Sequence, residues 1–412
     1  MICLAIAVNL TPVFLTTLSA EFGHEAAASS QPEAGPQAGS ADARKLTNEQ
    51  LGRIGAAIFV GLVVGILATG PLADRLGAKP FAIAGNVFVG AGLAVLGLAP
   101  SCAAVLAAAF IMGLGAGVLD MVLSPIISAL QPERRAAAMN WLHSFYCVGA
   151  VGTILAGSLA LRLGWGWRSI SLCLIALPAL VGVGFAALRV PPLVAEGQER
   201  MRLRLLIRRP YFLAALAAIF FVGGTELAMA QWLAAYAEKG LGYSTWVSGM
   251  ALLAFSIAMA VGRMTAGTVG HRVATAHLML VSCGAAVLFY VVACLAPWPA
   301  IALGACVGVG LACSCLWPSM LALAADRFPQ GGASMFAMLS AFGNSGGIVL
   351  PWVVGMVADL VRLRKIMAFP ATVDTERLGL HLGLGTATLC PILLAAILLW
   401  MRRQPVEDRS RQ

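Results

Sequence analysis

Charged side chains are scarce in this sequence. Asp, Glu, Lys and Arg make up 11% of its 412 residues, whereas a typical soluble domain has about 25%. Hydrophobic residues make up 60%, and they are gathered into runs of about 20 residues, the length that crosses a bilayer as a helix. A soluble fold has too little interior to bury this much apolar surface. The sequence therefore predicts an all-α membrane protein.

Several chemical signatures are also missing. The cysteines form no CxxC pair and no Cys/His cluster with zinc spacing, so we expect neither disulfides nor a metal site. There is no nucleotide-binding loop of the Gly-Lys-Ser type, and no spacing typical of an intramembrane enzyme. The net charge of +9 is scattered over short loops, which argues against nucleic-acid binding. We expect no enzymatic activity, no cofactor and no nucleic-acid partner.

Twelve apolar runs separated by short polar breaks predict twelve transmembrane helices. They lie at 1–20, 50–72, 80–99, 102–128, 138–162, 168–190, 211–236, 245–269, 275–295, 298–324, 333–358 and 380–401. The first run lacks the basic start of a signal peptide, so we expect it to be the first span. We predict an N-terminal six-helix bundle over 1–190, a cytoplasmic linker over 191–210 and a C-terminal six-helix bundle over 211–412.

Basic residues set the expected orientation in the lipid bilayer. With both termini in the cytoplasm, 17 Lys and Arg residues fall on the inner side and 10 on the outer side. Lys and Arg near short loops resist translocation, so this asymmetry favours a cell (inner) membrane protein with both termini cytoplasmic. The segment 22–43 is rich in Ala, Gly, Ser and Pro, which predicts a flexible loop between the first two spans.

A short pattern recurs in the chain with a constant offset of 197 residues. Its members are Gly65, Gly70 and Arg75, repeated as Gly262, Gly267 and Arg272. The offset relates the second span and its following loop to the eighth span and its loop. A parallel repeat of six spans plus six is typical of secondary transporters, in which two bundles rock about a central site.

The loop after the second span reads Gly-Pro-Leu-Ala-Asp-Arg-Leu-Gly-Ala-Lys from Gly70 to Lys79. It resembles the signature loop of the major facilitator superfamily, which latches the cytoplasmic ends of the two bundles. The resemblance implies a conformational latch made of Gly70, Asp74, Arg75, Gly77 and Lys79. An acid among bases at a helix end can form ion pairs that break and reform during bundle motion. An ordinary solvated turn is the alternative.

Short motifs also mark the fourth, fifth, seventh, tenth and eleventh spans. They are Gly113–Asp120, Met139–His143, Gly223–Glu226, Trp317–Pro318 and Gly346–Gly347, with Pro351 before Asp359. In order and spacing they resemble the fucose:proton symporter family and its glucose-transporting relatives, which implies a sugar solute and a coupling proton. Val8 and Asn9 occupy the region of that family's acid in the first span, so sodium coupling and uncoupled transport are kept as alternatives.

Asp120 and Glu226 are the two acids predicted to lie deep within spans, about 15 Å and about 22 Å from the inner end. Charged groups at such depth are expensive and usually face a cavity with a function. A buried carboxyl holds a proton readily unless a cation lies close, as a coupling group requires. Gly223 and Gly224 are expected to weaken the helix before Glu226 and free backbone carbonyls. The alternatives are a hydrogen bond to a neighbouring helix and a kinked packing helix.

Polar and aromatic residues supply further solute-binding candidates. Asn140 and His143 stand three residues apart, so they share a helix face, although His143 could instead cap a backbone carbonyl. The other candidates are Gln231, Trp232, Trp317 and Asn344. Sugars are commonly held by amides for their hydroxyls and by an aromatic plane for their apolar face. A tryptophan within a span also serves packing.

These observations predict a monomeric secondary transporter of the major facilitator fold. Its expected cargo is a small polar solute, foremost a sugar, moved by alternating access with a proton, with sodium or without an ion. A drug or metabolite exporter of the same fold is one alternative. A membrane-embedded sensor or enzyme is the alternative from another class.

Overall fold

The computed structural model describes residues 1–15, 17–18, 21–22, 48–193, 201–270, 272–362 and 374–404. Within these ranges the chain consists of helices and short connections, with no strand. The predicted loop 22–43 lies outside the described residues except for Phe22, as do residues 194–200 of the predicted linker.

Long helices form because backbone groups in lipid must be satisfied within their own segment. The first half of the chain contains α1 (Ile2–Val13), α2 (Asn48–Leu76), α3 (Lys79–Gly97), α4 (Cys102–Leu130), α5 (Arg135–Arg162), α6 (Gly166–Cys173) and α7 (Ala176–Ala187). A 3₁₀ turn at Pro132–Arg134 connects α4 to α5.

The second half begins with a short helix and then repeats the pattern of long spans. It contains α8 (Leu203–Leu206), α9 (Pro210–Ala235), α10 (Thr245–Val269), α11 (Thr275–Leu295), α12 (Pro299–Cys313), α13 (Leu316–Arg327), α14 (Gly332–Arg362), α15 (Thr375–Thr386) and α16 (Leu389–Arg403). A π-helical turn, Tyr236–Gly240, extends α9.

Eleven of the twelve predicted spans are confirmed, because eleven helical segments among the described residues are long and apolar enough to cross a membrane. The shorter apolar helix α1 lies within the first predicted run. The other eleven runs agree with the helices to within five residues, the largest difference being between 380 and Thr375. α6 with α7, α12 with α13, and α15 with α16 each form one span.

The chain divides into two compact units. Unit 1 comprises Met1–Ile126 and Val148–Leu193, and unit 2 comprises Ile127–Cys147 and Val194–Gln412. α5 is therefore divided after Cys147, although it is the fifth of the first six spans. The domain boundaries at 190 and 211 stay a prediction.

Glycines bring helix backbones into contact within unit 2. α9 packs along α14, and a Cβ added to Gly223 would overlap the carbonyl oxygen of Gly343, while one on Gly346 would overlap that of Phe220. α9 runs unbroken through Gly223 and Gly224, so the pair does not interrupt the helix, and the expectation that it weakens the helix stays a prediction. The pair permits close approach of two helices.

The internal repeat is visible in the packing of each unit. In unit 1, a Cβ on Gly113 would overlap the carbonyl oxygen of Ile58; in unit 2, one on Gly310 would lie 2.6 Å from that of Phe255. Both members of the second contact lie 197 residues after those of the first. The same offset relates the Gly65–Leu114 contact to the Gly262–Leu311 contact. The sequence repeat therefore corresponds to a repeated pairing of the second span with the fourth and of the eighth with the tenth.

Candidate functional site

Arg263 on α10 is the centre of the polar interior of unit 2. Its side chain is 3% exposed, and its Nε donates to the carbonyl oxygen of Ser314 at 3.0 Å. Nη2 donates to both carboxylate oxygens of Glu226 at 2.9 Å, and Nη1 donates to the carbonyl oxygen of His143 and to Cys147 Sγ, both at 3.3 Å. These contacts use all five N–H groups of a guanidinium. One side chain thus joins α10 to α9, to α5 and to the junction between α12 and α13.

Glu226 is paired instead of isolated. Its side chain is 13% exposed, and the two equal bonds to Nη2 of Arg263 place a cation directly against the carboxylate. A buried carboxylate is tolerated when it is matched by a charge and by hydrogen bonds. The sequence alone does not identify Arg263 as the cation that lies close to Glu226.

Pro318 explains why the carbonyl of Ser314 is free to accept from Arg263. A proline lacks the N–H that would bond to the carbonyl four residues earlier, and its ring crowds that carbonyl. Residue 314 is four residues before Pro318, and the helix is interrupted between α12 and α13 at Ser314 and Cys315. The Trp317–Pro318 motif therefore contributes through its proline. Trp317 itself packs its indole against Gly343 of α14.

The first part of α5 is fastened to helices of the second half at several levels. Arg135 forms a 2.7 Å ion pair with Asp326. Asn140 is fully buried, and its Nδ2 donates to the carbonyl of Ala136 at 2.8 Å and to Ser319 Oγ at 3.3 Å. His143 is 5% exposed and its carbonyl receives the bond from Arg263. Asn140 and His143 thus lie at one helix contact, as their spacing predicts.

Gly267 provides space for this contact. A Cβ on Gly267 would lie 2.6 Å from Cδ1 of Trp141, so the glycine lets the indole of α5 rest on the backbone of α10. Gly267 is the repeat counterpart of Gly70 in the predicted latch.

A groove on unit 2 lies between α9 and α14. It consists of two cavities of about 430 and about 360 Å³ that share Trp232, Pro351 and Trp352. Trp232 Nε1 donates to the carbonyl of Pro351 at 2.8 Å, and Gln231 Nε2 lies 3.5 Å from the carbonyl of Gly347. That carbonyl stands four residues before Pro351, so the proline leaves it without its helical donor. The remaining lining residues are Ala235, Ile348, Gly355, Met356, Asp359 and Leu360.

Asn344 and Asp120 are the remaining predicted site residues. Asn344 donates from Nδ2 to the carbonyl of Ser340 in its own helix at 2.8 Å. Asp120 lies on α4 in the part of the chain that belongs to unit 1, where it is partly buried. The described contacts therefore connect Glu226 with Asn140 and His143, and Gln231 with Trp232. They do not assign Asp120 to either group.

The residues of the predicted latch run from the C-terminal part of α2 to the first residue of α3 in unit 1. Gly70 lies inside α2, and the chain is helical from Gly70 to Leu76, so most of the predicted loop after the second span belongs to α2. Asp74 and Arg75 are in the last turn of α2. Gly77 has a φ of 80°, a left-handed conformation that glycine adopts without strain. Lys79 Nζ donates to the carbonyl of Ala186 at 2.8 Å. Their role as a latch stays a prediction.

Comparison with known families decides the classification. The model of the Major Facilitator Superfamily matches residues 1–351. The chain belongs to the major facilitator superfamily. As a member it is an integral, multi-pass transporter and not an enzyme, in agreement with the eleven long apolar helices found among the described residues and with the internal repeat.

Superfamily members that are similar to this transporter are named for different solutes. A protein of Mycobacterium tuberculosis named probable nitrate/nitrite transporter is 27% identical over 318 residues, 74% of this chain and 78% of that protein. A gentisate transporter of Corynebacterium glutamicum is 30% identical over 151 residues, 35% of this chain and 33% of that protein. The crystal structure of the Escherichia coli fucose:proton symporter matches with a TM-score of 0.75 at 19% identity, covering 98% of this chain and 97% of that chain. This last likeness shows the fold.

Proposed function

We propose that this transporter moves a small neutral polyhydroxylated solute, a sugar or a related molecule, by alternating access. The observation that supports the proposal is the groove between α9 and α14, in which two indoles stand beside an amide. Indole planes suit the apolar face of a sugar ring, and an amide can pair with its hydroxyls. The cavities, about 360 and about 430 Å³, fall within the range of about 300–1,000 Å³ usual for small-molecule sites.

The polar groups of the groove are suited to exchange with hydroxyls. The 3.5 Å separation of Gln231 Nε2 from the Gly347 carbonyl is at the long end of the hydrogen-bond range. A solute hydroxyl can therefore replace this bond at little cost. Asp359 at the other end of the groove offers carboxylate oxygens to hydroxyl donors.

The charge of the buried centre also favours a neutral solute. Arg263 and Glu226 together carry no net charge. An anion placed beside this pair would add a net negative charge in a low-dielectric region, whereas a neutral solute would add none. Hydroxyl groups can bond to both members of the pair without this penalty.

Uptake into proteoliposomes tests the proposal. Radiolabelled D-glucose and L-fucose are expected to enter vesicles containing the purified transporter faster than empty vesicles, and excess unlabelled hexose should compete. Imposed proton and sodium gradients, applied separately, identify a coupling ion by accumulation above the outside concentration. Hexose entry at the rate of empty vesicles under all three conditions would refute the proposed cargo.

An anionic solute is the second candidate, because Arg263 is a buried cation and two relatives are named as transporters of nitrate/nitrite and of gentisate. An anion beside Arg263 would compete with Glu226 for the guanidinium N–H groups. Uptake of labelled gentisate and nitrate into the same vesicles tests this candidate. Fluorescent organic cations in the same assay test drug export.

We further propose a monomer in the cell (inner) membrane with both termini cytoplasmic. The distribution of Lys and Arg supports this orientation. A C-terminal green fluorescent protein fusion should fluoresce and the matching alkaline phosphatase fusion should be inactive. The reverse pattern would contradict the orientation.

A further inference from the structure

α5 is the fifth span of the first six, but its segment Arg135–Cys147 belongs to unit 2. This α5 segment is fastened by the Arg135–Asp326 ion pair, by the Asn140–Ser319 bond and by Nη1 of Arg263. In a transporter whose six-span bundles rock against each other, contacts between a span of one half and spans of the other must break during the cycle. If the two bundles are divided at 191–210, as the sequence predicts, the contacts of the α5 segment join a span of the first bundle to spans of the second and must break in this way.

Arg263 differs from the other two contacts because it would keep part of its hydrogen bonds after α5 has moved away. Its Nε and Nη2 bond to Ser314 and Glu226, which are residues of the second half, as Arg263 is. Nη1 alone serves α5, through His143 and Cys147. When α5 moves away, three N–H groups keep the guanidinium in place while the two N–H groups of Nη1 lose their acceptors. Donors stranded in this way are costly unless another acceptor arrives.

We propose that Arg263 is an exchangeable clamp: Nη1 holds the α5 segment in the conformation described, and binds a hydroxyl oxygen of the solute after α5 has moved away. The proposal rests on the proposed transport of a neutral hydroxylated solute. α5 and the solute compete for the same two N–H groups, so the solute favours the conformation in which α5 is released. By linkage, loosening the clamp also strengthens solute binding at the remaining contacts.

Three native cysteines allow the clamp to be measured without introducing a probe. Cys147 accepts from Nη1 and is 3% exposed. Cys173 is exposed on the surface of a membrane span and reports the amount of membrane-permeant reagent that reaches the protein. Cys283 on α11 is fully buried and reports general loosening of unit 2. N-ethylmaleimide labelling of each cysteine in proteoliposomes, quantified by peptide mass spectrometry, gives the rate at Cys147 relative to the two internal standards.

The variant Arg263→Lys keeps a positive charge beside Glu226 but has three N–H donors in place of five. We expect the labelling rate at Cys147 to rise about tenfold, since two hydrogen bonds of ordinary strength are lost, while Cys283 stays protected. Lys239→Gln is the matched control, because Lys239 forms an exposed ion pair with Glu376 in the same unit. It should leave all three rates unchanged.

Solute gives the second arm of the experiment. The hexose used is D-glucose or L-fucose, whichever is transported. At a saturating concentration it should raise the labelling rate at Cys147 in the wild-type transporter. In Arg263→Lys the same hexose should leave the labelling rate at Cys147 unchanged. Wild-type labelling at Cys147 in Arg263→Lys would overturn the clamp, and so would a joint rise at Cys147 and Cys283. If Arg263→Lys does not fold, the wild-type transporter alone tests the clamp: a labelling rate at Cys147 that the transported hexose does not change would overturn the proposal.

The two proposals fail separately. The labelling comparison between wild type and Arg263→Lys is made without solute. If no hexose is taken up, the proposed function is refuted, but this comparison still tests the clamp. A rise at Cys147 produced by gentisate or nitrate, but by neither hexose, would overturn the assignment of a neutral hydroxyl to Nη1.

Discussion

Glu226 and Arg263 depend on each other for burial. Glu226→Gln leaves the guanidinium without its carboxylate, and removing one partner of a buried pair costs about 3–5 kcal/mol. The double variant Glu226→Leu with Arg263→Met removes both charges, so we expect it to lose less stability than the single variant. Thermal unfolding in detergent measures the difference.

Glu376→Gln is the control, because it breaks the exposed pair with Lys239. It should lower the free energy of unfolding by at most about 1 kcal/mol. A loss of stability equal to that of Glu226→Gln would contradict the importance of burial.

Gln231 and Asn344 are two amides with different surroundings. Gln231 lines the groove, whereas Asn344 bonds to its own helix. Gln231→Ala should therefore weaken solute binding by about 0.5–1.5 kcal/mol, the usual net contribution of one hydrogen bond, because the Gln231 side chain is exposed. Asn344→Ala should have a smaller effect. Equilibrium binding of the transported hexose measures both, and equal affinities in wild type and Gln231→Ala would remove Gln231 from the site.

At single positions the sequence predicted polar candidates but not their partners. Arg263 stands six residues before the predicted end of its span at 269, and it was counted among the basic residues that indicate orientation. Its burial depends on Glu226, 37 residues earlier, and on α5. The spacing of residues along one helix cannot show contacts between residues that are this far apart in the sequence. The position of Pro318 four residues after Ser314 was a local signal that a carbonyl would be free.

Helix pairing is set by glycines that recur with the repeat. The contact of Gly113 with Ile58 is repeated as that of Gly310 with Phe255, so one backbone arrangement is used twice. The polar residues do not follow this repeat: the position 197 residues after Asp120 is Trp317, and the position 197 residues before Arg263 is Ile66. The scaffold is therefore symmetric in its packing and asymmetric in its chemistry.

A glycine of a close helix contact should tolerate alanine far less than a glycine facing open space. A Cβ on Gly346 would overlap the carbonyl oxygen of Phe220, while one on Gly284 of α11 meets nothing within 4 Å. Gly346→Ala must separate α9 from α14, so we expect a loss of about 1–3 kcal/mol, typical of overpacking. Gly284→Ala should be neutral or stabilising by up to about 1 kcal/mol. Thermal unfolding of both variants checks this, and equal melting temperatures would contradict it.

The extent of the helices could be predicted because it follows from local composition. Apolar length and polar breaks located eleven spans to within five residues of the helices. The role of Gly223 could not be predicted in the same way, because a glycine pair suggests weakness until the facing helix is known. The division of α5 after Cys147 depends on contacts with α10 and α13, which no pattern within α5 records.

For the whole transporter, Asp120 offers a test of proton coupling. If its carboxyl carries the coupling proton, Asp120→Asn should abolish accumulation of hexose under a proton gradient. Exchange between equally loaded compartments should persist, because exchange requires bundle motion but no net proton release. Both are measured with labelled hexose in proteoliposomes. Accumulation at the wild-type rate would exclude Asp120 as the coupling group, and a parallel loss of uptake, exchange and affinity would indicate a role in holding solute.

The glycine contacts between α9 and α14 have a mechanical consequence. Where backbone touches backbone, no flexible side chain remains between the helices to take up a load, and closely packed interiors have low compressibility. A displacement of α9 at the groove is therefore transmitted to α14 at these contacts, and the two helices should move together as one rigid pair.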